Sequence, residues 1–165
     1  MSMKLVIREA DFAAAEDAAA IVTVLDSYAS DPAGGGAPLS REVRERLVPA
    51  LRDQPTALVL LAFVDSEPVG IAVGFFGLST FQARPLLNIH DLAVVAEYRG
   101  KGVGRALLRE AENRALGRGC CKLTLKVQDA NARARALYAS FGFEDFVVAG
   151  SPTRFLSKTL PRRGS

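Results

Sequence analysis

Residues 91–143 decide the fold of this chain, and they read DLAVVAEYRGKGVGRALLREAENRALGRGCCKLTLKVQDANARARALYASFGF. The apolar run Leu92–Val95 predicts a strand that leads into a glycine-rich turn. Apolar residues then recur every fourth position from Val103 to Ala115, which predicts an amphipathic helix. Glycines let a backbone approach an oxyanion closely, and the first N–H groups of a helix point toward it. The stretch therefore predicts a site for a phosphorylated ligand.

We call residues Arg99–Arg105 the phosphate turn, and Arg99, Lys101 and Arg105 give it positive charge. It is not a P-loop, because no Lys-Ser/Thr pair follows its glycines. Its G-x-G-x-G spacing also differs from the G-x-G-x-x-G of dinucleotide-binding proteins. The next predicted strand, Lys122–Val127, offers no acidic residue for a ribose. These two classes of nucleotide site are therefore excluded.

Two motifs resemble the Gcn5-related N-acetyltransferase (GNAT) family. Arg-x-x-Gly-x-Gly, entered from Leu-Ala-Val and followed by a helix, resembles the acetyl-CoA turn of that family. The segment from Asn131 to Phe143 resembles its Asn-x₆-Tyr-x₃-Gly-Phe segment. A weaker resemblance links Ser79–Leu92, with its Ser-Thr-Phe and Arg-Pro, to the polyamine and thialysine branch. This chain departs from that branch by carrying His90 where the branch has a glutamate, and Ala29 after Tyr28.

The resemblance implies an acetyl-CoA-dependent N-acetyltransferase that acetylates a primary amine, of a small molecule, by direct attack in a ternary complex. Two alternatives stay open. One is acetylation of protein N-termini or lysines, and the other is a non-catalytic module that binds acyl-CoA and regulates. The family also implies a homodimer, for which Val147, Val148 and the last strand are candidate contacts.

The motifs place candidate site residues along the chain. The residues implied to bind acetyl-CoA are Leu92, Ala93, Val94, Arg99, Gly100, Lys101, Gly102, Val103, Gly104, Arg105 and Asn131. The candidate substrate-binding residues are Tyr28, Phe81 and His90.

The resemblance also implies that Tyr138 lies near the sulfur of the cofactor. A phenol, with a pKa of ~10, can give a proton to a departing thiolate. The base that deprotonates the amine is His90, Asp91 or a water relay without either. On a regular strand His90 and Asp91 are expected to point to opposite faces.

The fold class predicted is α/β (α+β), with a mixed, mostly antiparallel sheet of six to seven strands and helices on both faces around a central β-α-β acetyl-CoA unit. Residues 1–165 are expected to form one N-acetyltransferase domain. The glycine-rich segment 31–38 is either a lid or a loose surface loop. The predicted strands are Lys4–Arg8, Thr56–Val64, Val69–Leu78, Leu86–Val95, Lys122–Val127, Glu144–Ala149 and Thr153–Leu160; the predicted helices run from Asp11, as cap, to Tyr28, over Arg41–Arg52, from the phosphate turn to Leu116, and over Ala132–Ser140.

Composition narrows the remaining classes of function. The chain is 49% hydrophobic and 24% charged, and its net charge of +3 gives no argument for nucleic-acid binding. One histidine and two adjacent cysteines, Cys120 and Cys121, provide no set of metal ligands. No signal peptide and no apolar run near the ~20 residues of a membrane helix are visible. The expectation is a cytoplasmic protein without a metal or a membrane partner.

Overall fold

The strand Ala57–Val64 is buried on both faces, as its unbroken apolar sequence predicts. In this computed structural model, which describes residues 3–162, Leu58 and Leu60 pack on one face of that strand with Leu107 of a long helix. Val59 and Leu61 pack on the other face with Ile21. Residues 1–2 and 163–165 of the predicted domain lie outside the described range.

One mixed sheet organises the molecule. Its strand order is β1-β2-β3-β4-β5, with antiparallel pairing except between β4 and β5, which are parallel. The predicted class, a mostly antiparallel mixed sheet with helices on both faces, is confirmed. The strands are β1 (Leu5–Glu9), β2 (Ala57–Val64), β3 (Glu67–Ser79), β4 (Arg84–Val94) and β5 (Leu123–Leu125); the helices are α1 (Ala15–Ser30), α2 (Arg41–Arg52), α3 (Val103–Gly117) and α4 (Ala132–Phe141).

The C-terminal part differs from the prediction, and the sheet has five strands rather than six to seven. β6 (Val147–Val148) and β7 (Ser151–Pro152) form a separate two-stranded hairpin. Residues 153–160, predicted as a strand, have no regular structure. Every residue from 144 to 162 is exposed, so the apolar residues that suggested strands have no core to pack against.

The start of α1 also differs from the prediction. Asp11 does not cap α1, which begins after Ala14 without a side-chain cap. The end of β1 is instead fixed to α1 by Asp17, a buried carboxylate that accepts hydrogen bonds from both terminal nitrogens of Arg8 (2.6 and 2.7 Å). Asp17 also accepts a 2.7 Å bond from the N–H of Asp11. A buried charge needs this number of partners to offset its lost hydration.

Within residues 3–162 no helix has both the length and the apolar character needed to cross a bilayer. The same residues contain no cluster of three His, Cys, Asp or Glu side chains placed to bind a metal.

Candidate functional site

A cavity of about 700 Å³ opens where β4 and β5 part. The two strands pair only from Leu87 to Ile89 on β4, and β4 continues to Val94 without a partner from β5. The opening is surrounded by the end of β4, which pairs there with β3 alone, and by the phosphate turn, the end of α1 and the first turns of α4. The lining residues are Tyr28, Asp31, Ala33, Leu92, Ala93, Val94, Tyr98, Arg99, Gly100, Gly102, Val103, Gly104, Arg105, Asn131, Arg133, Ala134, Leu137 and Tyr138.

The phosphate turn presents unpaired backbone donors to this cavity. Gly100 and Gly102 have φ angles of 74° and 84°, a left-handed region that favours glycine. Gly102 is the N-cap of α3. Within residues 3–162, no N–H group from Gly100 to Arg105 donates to another protein group. Six consecutive free donors at a helix start form a cradle for an anion such as a diphosphate.

The basic side chains of the turn have protein partners. Arg99 donates from Nε to the Val94 carbonyl oxygen (3.0 Å) and from Nη2 to Asp31 (2.8 Å). Arg105 donates to the hydroxyl of Ser140 on α4. The Lys101 ammonium lies 4.9 Å from the ring centroid of Tyr98, and Lys101 does not line the cavity. The backbone of the turn, more than its cations, is therefore available to a ligand.

Helix α4 carries Asn131 and Tyr138 on the wall opposite β4. Asn131 caps α4, because its Oδ1 accepts a 3.2 Å bond from the N–H of Ala134. Tyr138 is half-buried, and its ring meets the edge of Phe143 with centroids 5.7 Å apart. Burial, with a smaller effect from Tyr28, raises the pKa of Tyr138 to about 12. The Tyr138 hydroxyl therefore stays protonated at neutral pH.

His90 and Asp91 lie on the same face of β4, so the expectation of opposite faces was wrong. The pairing of β3 and β4 shifts between Val73, which faces Asp91, and Gly74, which faces Ile89; His90 has no partner there. This β-bulge resets the alternation of side chains. Ile89 accordingly packs with α3, whereas Ala93 packs with α1.

The bulge gives the two residues different surroundings. His90 is exposed and makes an edge contact with Phe75. Asp91 is half-buried, and burial raises its pKa, an effect that the nearby charges of His90 and Lys126 partly offset. Asp91 in turn contributes to the raised pKa of Tyr28. Neither His90 nor Asp91 lines the cavity.

Of the candidate substrate-binding residues, the structure places only Tyr28 at the cavity. Phe81 lies in the turn between β3 and β4 and is fully exposed. The Arg-Pro that follows supports the fold, since Arg84 donates to the carbonyl oxygen of Gly119 (3.1 Å). Of the upstream segment that carried the weaker resemblance, only Leu92 lines the cavity.

Asp31, Ala33, Tyr98 and Arg133 line the cavity and were not singled out from the sequence. Tyr98 and Arg133 adjoin the two motifs in the sequence. That proximity was the available signal that they could line the cavity. Asp31 lies 68 residues from its partner Arg99, and no local pattern connects them.

A family model shows what the chain is. The model of the acetyltransferase (GNAT) family matches residues 21–143, which include β4, the phosphate turn and α4. The chain belongs to the GNAT acetyltransferase family. The resemblance seen in the sequence is confirmed, and the mixed sheet is the GNAT fold.

Similar proteins include several that are named N-acetyltransferases. An uncharacterized N-acetyltransferase of Bacillus subtilis (strain 168) is 30% identical over 135 residues, 78% of this chain and 85% of that protein. The thialysine N-epsilon-acetyltransferase of Bos taurus is 37% identical over 81 residues, 49% of this chain. The match spans only 47% of that protein, or about half its length.

Solved structures share the fold at low identity. The ribosomal-protein-alanine N-acetyltransferase of Brucella melitensis biovar Abortus 2308 has a TM-score of 0.67 at 21% identity, over 96% of this chain and 99% of that one. An aminoglycoside acetyltransferase from an uncultured soil metagenomic sample has a TM-score of 0.76 at 18% identity, over 95% and 97%. GNAT members generally use acetyl-CoA as the acetyl donor.

Proposed function

We propose that this protein is an acetyl-CoA-dependent N-acetyltransferase that acetylates a primary amine of a small molecule by direct attack in a ternary complex. One observation carries the proposal: Gly100 and Gly102–Arg105, whose backbone N–H groups are free, line the same cavity as Tyr138. An anion cradle and a protonated phenol in one cavity fit a donor with a phosphate end and a thioester end.

The residues present fit acetyl-CoA at both of its ends. The free N–H groups of the phosphate turn would hold the diphosphate. The segment Leu92–Val94 lines the cavity beyond the last β4–β5 pair, where an extended arm would lie along a free strand end. Asn131 lines the opposite wall and would contact the same arm. When bound, acetyl-CoA supplies an activated acetyl group whose carbonyl carbon an amine attacks.

Tyr138 is proposed as the proton donor. Its pKa of about 12 keeps the proton on the hydroxyl oxygen, whereas a thiol has a pKa of ~8.5. Complete proton transfer from Tyr138 to a thiolate is therefore unfavourable in free energy. Tyr138 acts first as a hydrogen-bond donor to the departing sulfur. Such a bond strengthens as negative charge develops, which is how a preorganised donor lowers a barrier.

Asp91, reached through a water relay, is proposed as the base. An alkyl ammonium has a pKa of ~10, so the incoming amine must lose a proton before it attacks. Asp91 is half-buried, and its pKa is raised. Its charge contributes to the raised pKa of Tyr28, which lines the cavity, whereas His90 is exposed. A carboxylate made more basic by burial suits proton uptake.

The charges of the cavity favour an acceptor with one amine. Among the lining residues Asp31 is the only carboxylate, and Arg99 neutralises it. The lining residues provide no second carboxylate that could bind a second ammonium group, so polyamines are disfavoured as acceptors.

A screen of acceptors by thiol release tests the proposed function. Wild-type protein is mixed with acetyl-CoA and, one at a time, small primary amines, diamines and peptides with free N-termini. Release above the hydrolytic background is expected with monoamines, and mass spectrometry should find the acetylated amine. Preferential release with peptides would support protein acetylation instead, and tight CoA binding without release for any amine would support a regulatory module.

A further inference from the structure

The loop between α1 and α2, residues 31–39, is held by hydrogen bonds within itself and to the end of α1. The carbonyl oxygen of Asp31 accepts hydrogen bonds from the N–H groups of Gly34 (2.8 Å) and Gly36 (3.0 Å). Gly34 approaches the end of α1 so closely that a Cβ on it would lie 1.9 Å from the carbonyl oxygen of Tyr28. We call residues 31–39 the Asp31 loop, because this residue holds it together.

Other contacts fasten both ends of the loop to α1. The N–H of Ala37 donates to the carbonyl oxygen of Ala29 (3.1 Å). The N–H of Leu39 donates to Oδ1 of Asp26 (2.8 Å). The Asp31 loop and the end of α1 therefore form one hydrogen-bonded unit.

The side chain of Asp31 links this unit to the cofactor side of the cavity. Its Oδ1 accepts from the N–H of Ala33 (3.0 Å), and its Oδ2 accepts from Nη2 of Arg99 (2.8 Å). The Nε of Arg99 donates to the carbonyl oxygen of Val94 (3.0 Å). The Arg99 side chain is only 28% exposed. One guanidinium thus joins the Asp31 loop to the last residue of β4, and Arg99 itself is the first residue of the phosphate turn.

We propose that Asp31 and Arg99 are positioning residues, which fix the phosphate turn and the acceptor side of the cavity in one arrangement. Through Arg99, Asp31 holds the end of β4 and the start of the turn where the free N–H groups converge on an anion. The proposal rests on the proposed function, because it concerns the same donor site.

The rival account makes Arg99 a direct ligand of the donor's phosphates, as its place in the motif suggests. The two accounts predict opposite signs for one substitution. Removing the Asp31 charge would free Arg99 and remove a repulsive carboxylate, so under the rival account CoA binds more tightly. Under the positioning account the turn loses its support, and CoA binds more weakly.

Calorimetric titration with CoA separates the two accounts. Asp31→Asn keeps an oxygen that can accept from Ala33 but removes the charged pair with Arg99. It should weaken CoA binding by roughly 2- to 30-fold, the range of a modest coupling free energy. Asp53→Asn is the matched control, since it breaks the exposed pair with Arg52 far from the cavity and should leave CoA affinity unchanged. Unchanged or tighter binding by a folded Asp31→Asn protein would overturn the proposal.

A second pair of variants leaves Asp31 intact. Lysine keeps the charge of Arg99 but lacks the planar fork that serves two acceptors at once. Arg99→Lys should therefore weaken CoA binding nearly as much as Arg99→Gln. If Arg99→Lys binds CoA like the wild type, the charge alone matters and the positioning role is rejected.

Hydrogen exchange tests the proposal in the absence of any ligand. Arg99→Gln should speed exchange at the N–H groups of Ala33, Gly34 and Gly36, which depend on the Asp31 carboxylate or its carbonyl oxygen. Unaltered exchange there would overturn the proposal. Because this measurement needs no CoA, a failure of the wild-type protein to bind CoA would refute the proposed function and leave this test in force.

Discussion

Tyr138 retains its proton at neutral and mildly alkaline pH, because burial raises its pKa to about 12. Its protonated form is the active one in the proposed mechanism, so Tyr138 itself causes a loss of activity only as the pH rises through that value. At the scale of single residues, this hydroxyl and the free N–H groups of the phosphate turn are the chemistry that the structure brings into one cavity.

The first prediction concerns Tyr138→Phe, which removes one hydroxyl and little volume. It should lower kcat by about 10²–10³-fold, the typical cost of losing one preorganised donor, and leave the CoA dissociation constant unchanged. Steady-state kinetics with calorimetry on the same protein check both quantities. The wild-type enzyme should show no alkaline loss of kcat from Tyr138 below about pH 10. A Tyr138→Phe enzyme with wild-type kcat would remove Tyr138 from the mechanism.

The second prediction separates the neighbours Asp91 and His90. Asp91→Asn should lower kcat/KM by about 10²–10⁴-fold near neutral pH, the usual range for a general base. Activity should recover at high pH, where the amine deprotonates itself. His90→Ala is the matched variant one residue away and should keep the wild-type profile. An altered profile in His90→Ala, with Asp91→Asn unaffected, would assign the base to His90 instead.

At the scale of elements, periodicity and glycine spacing were enough to predict the sheet class and the strand-turn-helix unit. The sequence did not predict the β-bulge at His90, because no glycine or proline marks that position. The shift in register is visible only in the pairing of β4 with Val73 and Gly74 of β3. The Asp31–Arg99 pair was missed for another reason, since it joins segments 68 residues apart. Both features depend on tertiary contacts that short patterns do not encode.

The third prediction concerns the junction of β1 and α1. The hydrogen bonds from Arg8 hold the pKa of Asp17 below its ordinary value despite burial. Asp17 therefore contributes stability that is present above the unfolded pKa of ~3.9 and is lost as pH falls through the lower folded value. Asp17→Asn should cost about 1–3 kcal/mol at pH 7, discounted because Arg8 is half-exposed.

Urea unfolding at pH 7 and at pH 3 measures this effect. The difference between wild type and Asp17→Asn should shrink at pH 3, because the charged form is then partly lost in the wild type too. A difference that stays constant between the two pH values would show that Asp17 acts through packing and not through its charge.

At the scale of the whole molecule, residues 144–162 are exposed along their length and carry several large apolar side chains. A segment with many large, exposed apolar side chains is a candidate interaction site. We propose that a second copy of this chain covers it, in line with the homodimer that the family resemblance implies. The most exposed of these apolar residues are Phe146, Phe155, Leu156 and Leu160, and Val147 and Val148 are about half exposed.

The fourth prediction is that light scattering gives a mass near twice the 17.6 kDa of the chain. Val148→Asp places a charge in the exposed hairpin and should shift the mass toward the monomer. Val6→Asp is the control, because Val6 is similarly exposed on β1, at the edge of the sheet opposite to β5. A wild-type mass near 17.6 kDa at working concentration would reject the dimer.

The central claim is that the free N–H groups of the phosphate turn bind the diphosphate of the acetyl donor, and Gly102→Asp tests it most directly. The substitution puts a carboxylate where a phosphate should lie. Gly119→Asp is the matched control: Gly119 also has a positive φ (71°, against 84° at Gly102), and a side chain at either position enters open space. Calorimetry with CoA should give one dissociation constant for wild type and Gly119→Asp, and at least a tenfold weaker one for Gly102→Asp, a loss of about 1.4 kcal/mol or more. Equal affinity in all three proteins, or no CoA binding by the wild type, would contradict the account.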